Sequence, residues 1–171
     1  MGKRSKFERK DRDLYPTPYA AVIPLLPFIQ DVKRFSEPCA GDGSLVRNLN
    51  HIKCYWQSDI KPMAKGIIKG DALELVTPLK QSGMIITNPP WNRKILHPMI
   101  EHFRMLAPTW LLFDADWMHT GQSSEYIKYC TDIVSVGRVK WIPDSKMTGK
   151  DNCCWYRFDK DACKGVTFHG R

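Results

Sequence analysis

Nowhere in the 171 residues does an apolar run reach membrane-spanning length, and no leader-like succession of basic, apolar and small residues opens the chain. Cysteine occurs at 39, 54, 130, 153, 154 and 163, but never as a C-x-x-C pair and never beside histidines spaced to complete a zinc site. No metal and no membrane association are therefore expected, and reduced thiols in a cytoplasm are the simpler reading. His97 and His102 are five apart, on different faces of a helix, and read as ordinary surface or interface residues. Internal repeats and low-complexity stretches are also missing, which excludes a solenoid or a linker. Acid is the scarcer charge: 18 Asp and Glu stand against 26 Lys and Arg, a formal net charge of +8. Such an excess draws polyanions by long-range attraction, and nucleic acid is the first partner to consider.

What is present suits one globular domain. Hydrophobic residues make up 43% and charged residues 26%, and the length leaves little room for a second core. Residues 1–13 form a basic arm, with Lys3, Arg4, Lys6, Arg9, Lys10 and Arg12 against Glu8, Asp11 and Asp13; a solvated tail and a phosphate-contacting arm suit it equally. The remaining span, 14–171, is expected to be a single catalytic domain. Pro24 and Pro27 restrict the apolar segment Tyr19 to Phe28 to short helical turns. Lys33 to Ser36 leads into a strand, a glycine turn at 37–44 and a helix through about Leu49. Strands are predicted at Cys54 to Ile60, Met84 to Thr87, Trp110 to Phe113, Ile133 to Ile142 and Cys153 to Phe158, a short strand or extended link at Gly66 to Asp71, and helices at about Lys94 to Leu106 and Ser123 to Cys130. Alternating strands and helices with near-continuous apolar runs indicate an α/β sheet, mostly parallel, covered by helices on both faces and closed by an antiparallel C-terminal hairpin.

Gly41 and Gly43 follow the first strand, where their lack of a Cβ lets a ligand approach the backbone closely. An ordinary tight turn would look the same. The order of residues adds weight, because Asp59 ends the next strand sixteen positions after Gly43, where a carboxylate can accept both hydroxyls of a ribose. The third glycine of G-x-G-x-x-G is absent, which favours a nucleoside ligand smaller than a dinucleotide.

Met84-Ile-Ile-Thr87 runs directly into Asn88-Pro89-Pro90-Trp91, and the doubled proline prevents the strand from continuing. An amine conjugated to an aromatic ring is a poor nucleophile because its lone pair is delocalised. The Asn88 side-chain oxygen and the Pro89 carbonyl can take the two amine hydrogens and localise that pair, while the prolines fix the backbone and Trp91 offers a flat face for a base. A strand-ending turn with a buried tryptophan is the bland alternative.

Glu37-Pro-Cys-Ala-Gly-Asp-Gly43 resembles the first cofactor motif of class I S-adenosylmethionine-dependent methyltransferases, especially the amino-methyltransferases, and the tetrapeptide resembles that of their DNA adenine-N6 members. Tyr15-Pro-Thr-Pro18 is similar to the upstream motif of that family. The resemblance implies a Rossmann-like fold and S-adenosylmethionine as cofactor. It implies cofactor contacts from Tyr15, Thr17, Glu37, Pro38, Cys39, Ala40, Gly41, Gly43, Asp59, Ile60, Asp71, Ala72 and Asn88, and catalysis by Asn88, Pro89, Pro90 and Trp91. Asp71 would meet the adenine amine of the cofactor, although a helix N-cap suits it too. On this reading Cys39 and Cys54 are core residues rather than nucleophiles.

DNA is the partner the resemblance implies, as for compact phage or bacterial enzymes, with an N6-methylated adenine as product. A base in duplex DNA would have to leave the stack to be reached. Only residues 72–87 separate Asp71 from Asn88, so specificity is expected to come from small loops or to be loose. Substrate contacts are expected from Arg93, Lys94, Asp114, Asp116, Trp117, Lys146 and Lys150, with capping or core packing as the alternative for Asp116 and Trp117, and a solvated loop for the two lysines. RNA or a protein glutamine as acceptor, or a binding domain without turnover, are the other functions that this motif order admits.

Overall fold

A computed structural model of the chain describes residues 15–142, 148–162 and 165–171. The basic arm at 1–13 and Lys146 lie outside the described residues. The strands are β1 (Arg34–Glu37), β2 (Lys53–Asp59), β3 (Ile68–Lys69), β4 (Ile85–Thr87), β5 (Thr109–Asp114), β6 (Cys130–Arg138), β7 (Asn152–Phe158) and β8 (Thr167–His169). They form one sheet in the order β3-β2-β1-β4-β5-β7-β6-β8. From β3 to β5 every pairing is parallel; β7 is antiparallel to both β5 and β6, and β8 returns parallel to β6.

Two apolar clusters divide the sheet by the two-residue alternation of its strands. Ile86, Trp110, Leu112, Val134 and Trp155 face one side, where they meet Ala21, Val22 and Leu25 near the N-terminus and Leu45 and Leu49 around the second helix. Ile85, Leu111, Phe113, Ile133 and Tyr156 face the other, against Leu96, Met99, Ile100 and Phe103. Those last four lie at i, i+3, i+4 and i+7 of helix α4 (Arg93–Leu106), the stripe that seats a helix on a sheet. Asn92 caps α4 by accepting the Lys94 N–H at 3.0 Å, which starts the helix immediately after the proline tetrapeptide. On the opposite face stand α1 (Tyr19–Val22), a 3-10 segment through Phe28 and α2 (Ser44–Asn48). The Trp155 indole donates to the Ala21 carbonyl at 2.8 Å and ties this N-terminal layer to the sheet.

The expected architecture is found, with local differences. The strand expected at 133–142 begins three residues earlier, because Cys130 pairs with Phe158, and it ends at Arg138, just past a bulge at Gly137, whose φ is +80°. The helix expected over 123–130 is shortened to a 3-10 turn (Gly121–Ser123) and a four-residue helix α5 (Ser124–Ile127), since Cys130 already belongs to β6. Strand β8 and the short helix α3 (Thr77–Ser82) were not foreseen. Among the described residues no helix is long and apolar enough to cross a membrane, and no cluster of His, Cys, Asp and Glu could hold a metal.

Candidate active site

The parallel strands β1, β2 and β4 end side by side, and a cavity of about 380 Å³ opens at those carboxyl ends. This is the place where open α/β sheets bind ligands, and the volume lies within the range of about 300–1,000 Å³ usual for small-molecule pockets. The turn after β1 forms one wall. Gly41 and Gly43 have φ of +52° and +78°, a left-handed backbone that side-chain-bearing residues avoid, and a Cβ on Gly41 would meet no protein atom within 4 Å. Glycine is needed at 41 for its conformation.

Asp59 fastens that turn to the end of β2. One carboxylate oxygen accepts the Gly41 N–H at 2.8 Å and the other accepts the Lys61 N–H at 2.7 Å, while the side chain is 8% exposed. Each oxygen retains a further lone pair for a ligand hydroxyl. Asp71 lines the cavity after β3 and accepts the Leu73 N–H at 2.9 Å, capping a single turn rather than the helix weighed as its alternative role. Asp42 accepts from the Ser44 N–H at 2.9 Å and the Ser44 hydroxyl at 2.8 Å; burial works against its charge, but these bonds and Arg47 hold its carboxyl below the usual range.

Glu37 is the exception among these acids. It is 2% exposed, and its Oε2 has no partner. Burial first, then the charges of Asp59 and Asp42, push its carboxyl well above the ordinary carboxylate range. Four acidic side chains, Glu37, Asp42, Asp59 and Asp71, thus line a cavity in a chain of net charge +8, and a cation bound there would be attracted by them. Cys39 also lines it; burial and Asp59 push its thiol far up, so it stays protonated and is no nucleophile. Burial raises Cys54 to about 11, with the same consequence.

The proline tetrapeptide enters the same cavity from β4. Asn88 and Pro90 line it together with the glycine turn, although the two motifs come from different strands. The Asn88 amide nitrogen donates to the Thr17 hydroxyl at 3.1 Å, and the Asn88 oxygen accepts the Trp91 indole N–H at 3.2 Å. Thr17 and Tyr15 belong to the lining, as do Pro38, Ala40, Ile60 and Ala72. Gly43, Pro89 and Trp91 are not among the residues that line the cavity. Trp91 is half-buried and meets Trp141 edge-on, with ring centroids 5.7 Å apart; Trp141 in turn lies 6.4 Å from Tyr15.

Of the expected substrate contacts among the described residues, Lys94 alone lines the cavity. Arg93 is held in an ion pair with Asp114 at 2.6 Å. Trp117 corrects the expectation: it is 0% exposed, packs edge-on against Phe113 and Tyr156 and donates to His97 at 3.0 Å, leaving no face for a base. Asp116 and Lys150 are exposed, away from the cavity lining. His97 also stacks on Tyr126 at 4.3 Å and so joins α4 to α5; burial holds its imidazole below the usual value. Sequence reasoning missed Pro16, Asp42, Ser44, Leu45, Leu73, Ile95 and Met99 in the lining. Asp42 and Ser44 could have been found, since they sit inside the glycine turn, but periodicity marks Met99 only as a core-facing residue of α4 and gives no signal for the exposed Ile95.

No protein-family model and no curated protein matches the sequence. Among solved structures, the fold is that of Rossmann-like class I methyltransferases. A candidate class I S-adenosylmethionine-dependent methyltransferase from Listeria monocytogenes superposes with a TM-score of 0.66 at 11% identity, covering 94% of this chain and 67% of the other. A candidate RNA methyltransferase from Pyrococcus horikoshii gives 0.57 at 18% identity, over 90% and 87%. The M protein of the type I restriction enzyme EcoKI gives 0.53 at 9%, over 89% of this chain but only 47% of that longer protein.

Proposed function

We propose that this protein is an S-adenosylmethionine-dependent methyltransferase acting on an exocyclic amine of a nucleobase, with adenine N6 in DNA as the favoured target. The observation that carries the reading is one cavity lined by both the glycine turn with its acids and the Asn88 carboxamide. The residues suit the cofactor: Asp59 has lone pairs to spare for a ribose, and the unpartnered Glu37 oxygen suits a cationic group. When bound there, S-adenosylmethionine supplies an electrophilic methyl carbon on a positively charged sulfur. The chain's task is to prepare the acceptor. The Asn88 oxygen and the Pro89 carbonyl take the hydrogens of the incoming amine and return its lone pair to nitrogen, and alignment of that pair with the methyl group contributes most of the acceleration. Trp91 and Trp141 provide aromatic surface beside Asn88 for a base withdrawn from its stack.

The acid-lined cavity suits a cationic cofactor, whereas the basic excess of the whole chain suits a polyanionic substrate. The EcoKI M protein is a DNA adenine methyltransferase, which supports DNA; the likeness to the Pyrococcus protein favours RNA as the second reading. Labelled S-adenosylmethionine offered with unmethylated DNA, RNA and protein acceptors, followed by nucleoside analysis, tests the choice. N6-methyladenine from DNA is the expected product. Its absence at high enzyme excess rejects the DNA reading, and label in RNA or glutamine transfers the assignment there.

A further inference from the structure

The Trp91 indole nitrogen lies 3.2 Å from Asn88 Oδ1 and 3.1 Å from the Leu112 carbonyl oxygen. An indole N–H can only donate, so the end of the amide that faces it must be the oxygen. The other end of the carboxamide, Nδ2, lies 3.1 Å from the Thr17 hydroxyl. A hydroxyl donates or accepts and would tolerate either orientation of the amide. Of these two side-chain partners, only Trp91 distinguishes one orientation from the other.

We infer that Trp91 is a positioning residue whose N–H locks the orientation of the Asn88 carboxamide, with the Leu112 carbonyl on β5 holding the indole in place. The inference rests on the methyl-transfer reading above for its catalytic consequence. An amide turned by 180° would present N–H groups where an amine must be gripped, setting donor against donor. With the indole occupying one lone pair of Oδ1, the second remains for an amine hydrogen. A phenyl ring at 91 would keep a flat face but bring no donor to this point.

The first test needs no substrate. In the 15N-labelled full-length protein, with the Trp91 indole assigned from its Overhauser contacts, its N–H is expected to exchange slowly with solvent and to move downfield in Asn88→Asp, where the acceptor carries charge. An indole that exchanges freely, or that ignores Asn88→Asp, overturns the lock whether or not the chain transfers methyl groups.

The second test is a double-mutant cycle. Trp91→Phe is expected to lower kcat about tenfold, with acceptor KM and cofactor Kd within about twofold. In the Asn88→Asp background both oxygens accept, orientation loses its meaning, and Trp91→Phe should cost less than about twofold. An equal loss in both backgrounds would assign Trp91 to packing and overturn the inference. Failure of the wild type to methylate any acceptor would defeat the proposed function while leaving the indole result to decide the lock.

Discussion

Around β1, β2 and β4 the strands end in polar groups: Glu37 and Ser58 each keep a buried oxygen without a partner, and Asp59 spends one lone pair of each oxygen on a turn. Around β5, β6 and β7 the strands run six to nine residues, and Phe113, Trp117, Tyr156 and Phe158 stack and interlock with no exposure. The Tyr156 hydroxyl there donates to the Asp114 carbonyl at 3.1 Å, while Trp110 Nε1 and Arg157 Nε are buried without a partner. Unpartnered buried groups destabilise a fold by about 1–3 kcal/mol each, and the fully buried aromatic cluster offsets that cost. Function and stability are thereby lodged in neighbouring strands of one sheet.

That division predicts which substitutions unfold the chain and which merely silence it. The largest effect belongs to Trp155→Ala, which removes a fully buried ring and the bond to Ala21; a loss of about 3–5 kcal/mol is expected in denaturant unfolding. A loss below about 1 kcal/mol would mean that the hairpin does not carry the fold. Asn88→Ala comes next, with turnover falling by about two to three powers of ten while cofactor affinity by calorimetry and melting temperature hardly change. Asp59→Ala should show the reverse split, raising the cofactor Kd by about tenfold to a hundredfold as the Gly41 turn loses its tether. If both variants lost cofactor equally, the two walls of the cavity would not have separate tasks.

The smallest effect sharpens the comparison through pH. Glu37 has a folded-state carboxyl raised above its unfolded value, so the folded chain holds the extra proton between those two values. Stability from this group is present below the ordinary carboxylate range and is lost as pH rises from there through the raised folded value. Glu37→Gln should remove that slope and add about 1–2 kcal/mol at neutral pH, yet weaken binding of a cationic cofactor. Unfolding curves from pH 4 to 8 with and without cofactor check both; an unchanged slope would show that Glu37 is not the group that titrates.

Much of the site was legible because its residues are consecutive. Glu37 to Gly43 and Asn88 to Trp91 each form one turn at a strand end, and turn chemistry is local. The apolar stripe of α4 and the runs of β5 and β7 were readable for a similar reason, since burial imposes its period on the sequence. Strand β8 was not, because Thr167–His169 carries no apolar pattern and is strand only by pairing with Asp132 to Val134. Trp117 misled because a tryptophan after a strand looks the same in sequence whether it meets a ligand or fills a core.

The sequence alone determined the order of strand, glycine turn and acid, the place where β4 must stop, and the donors and acceptors available at each. Only the tertiary structure decided that Thr17, Asn88 and Trp91 form one hydrogen-bonded row, that four acidic side chains converge on one cavity, and that Trp117 faces inward. The reason is physical: backbone conformation answers to neighbours along the chain, whereas hydrogen-bond partnership and burial depend on which distant segments the packed sheet brings together.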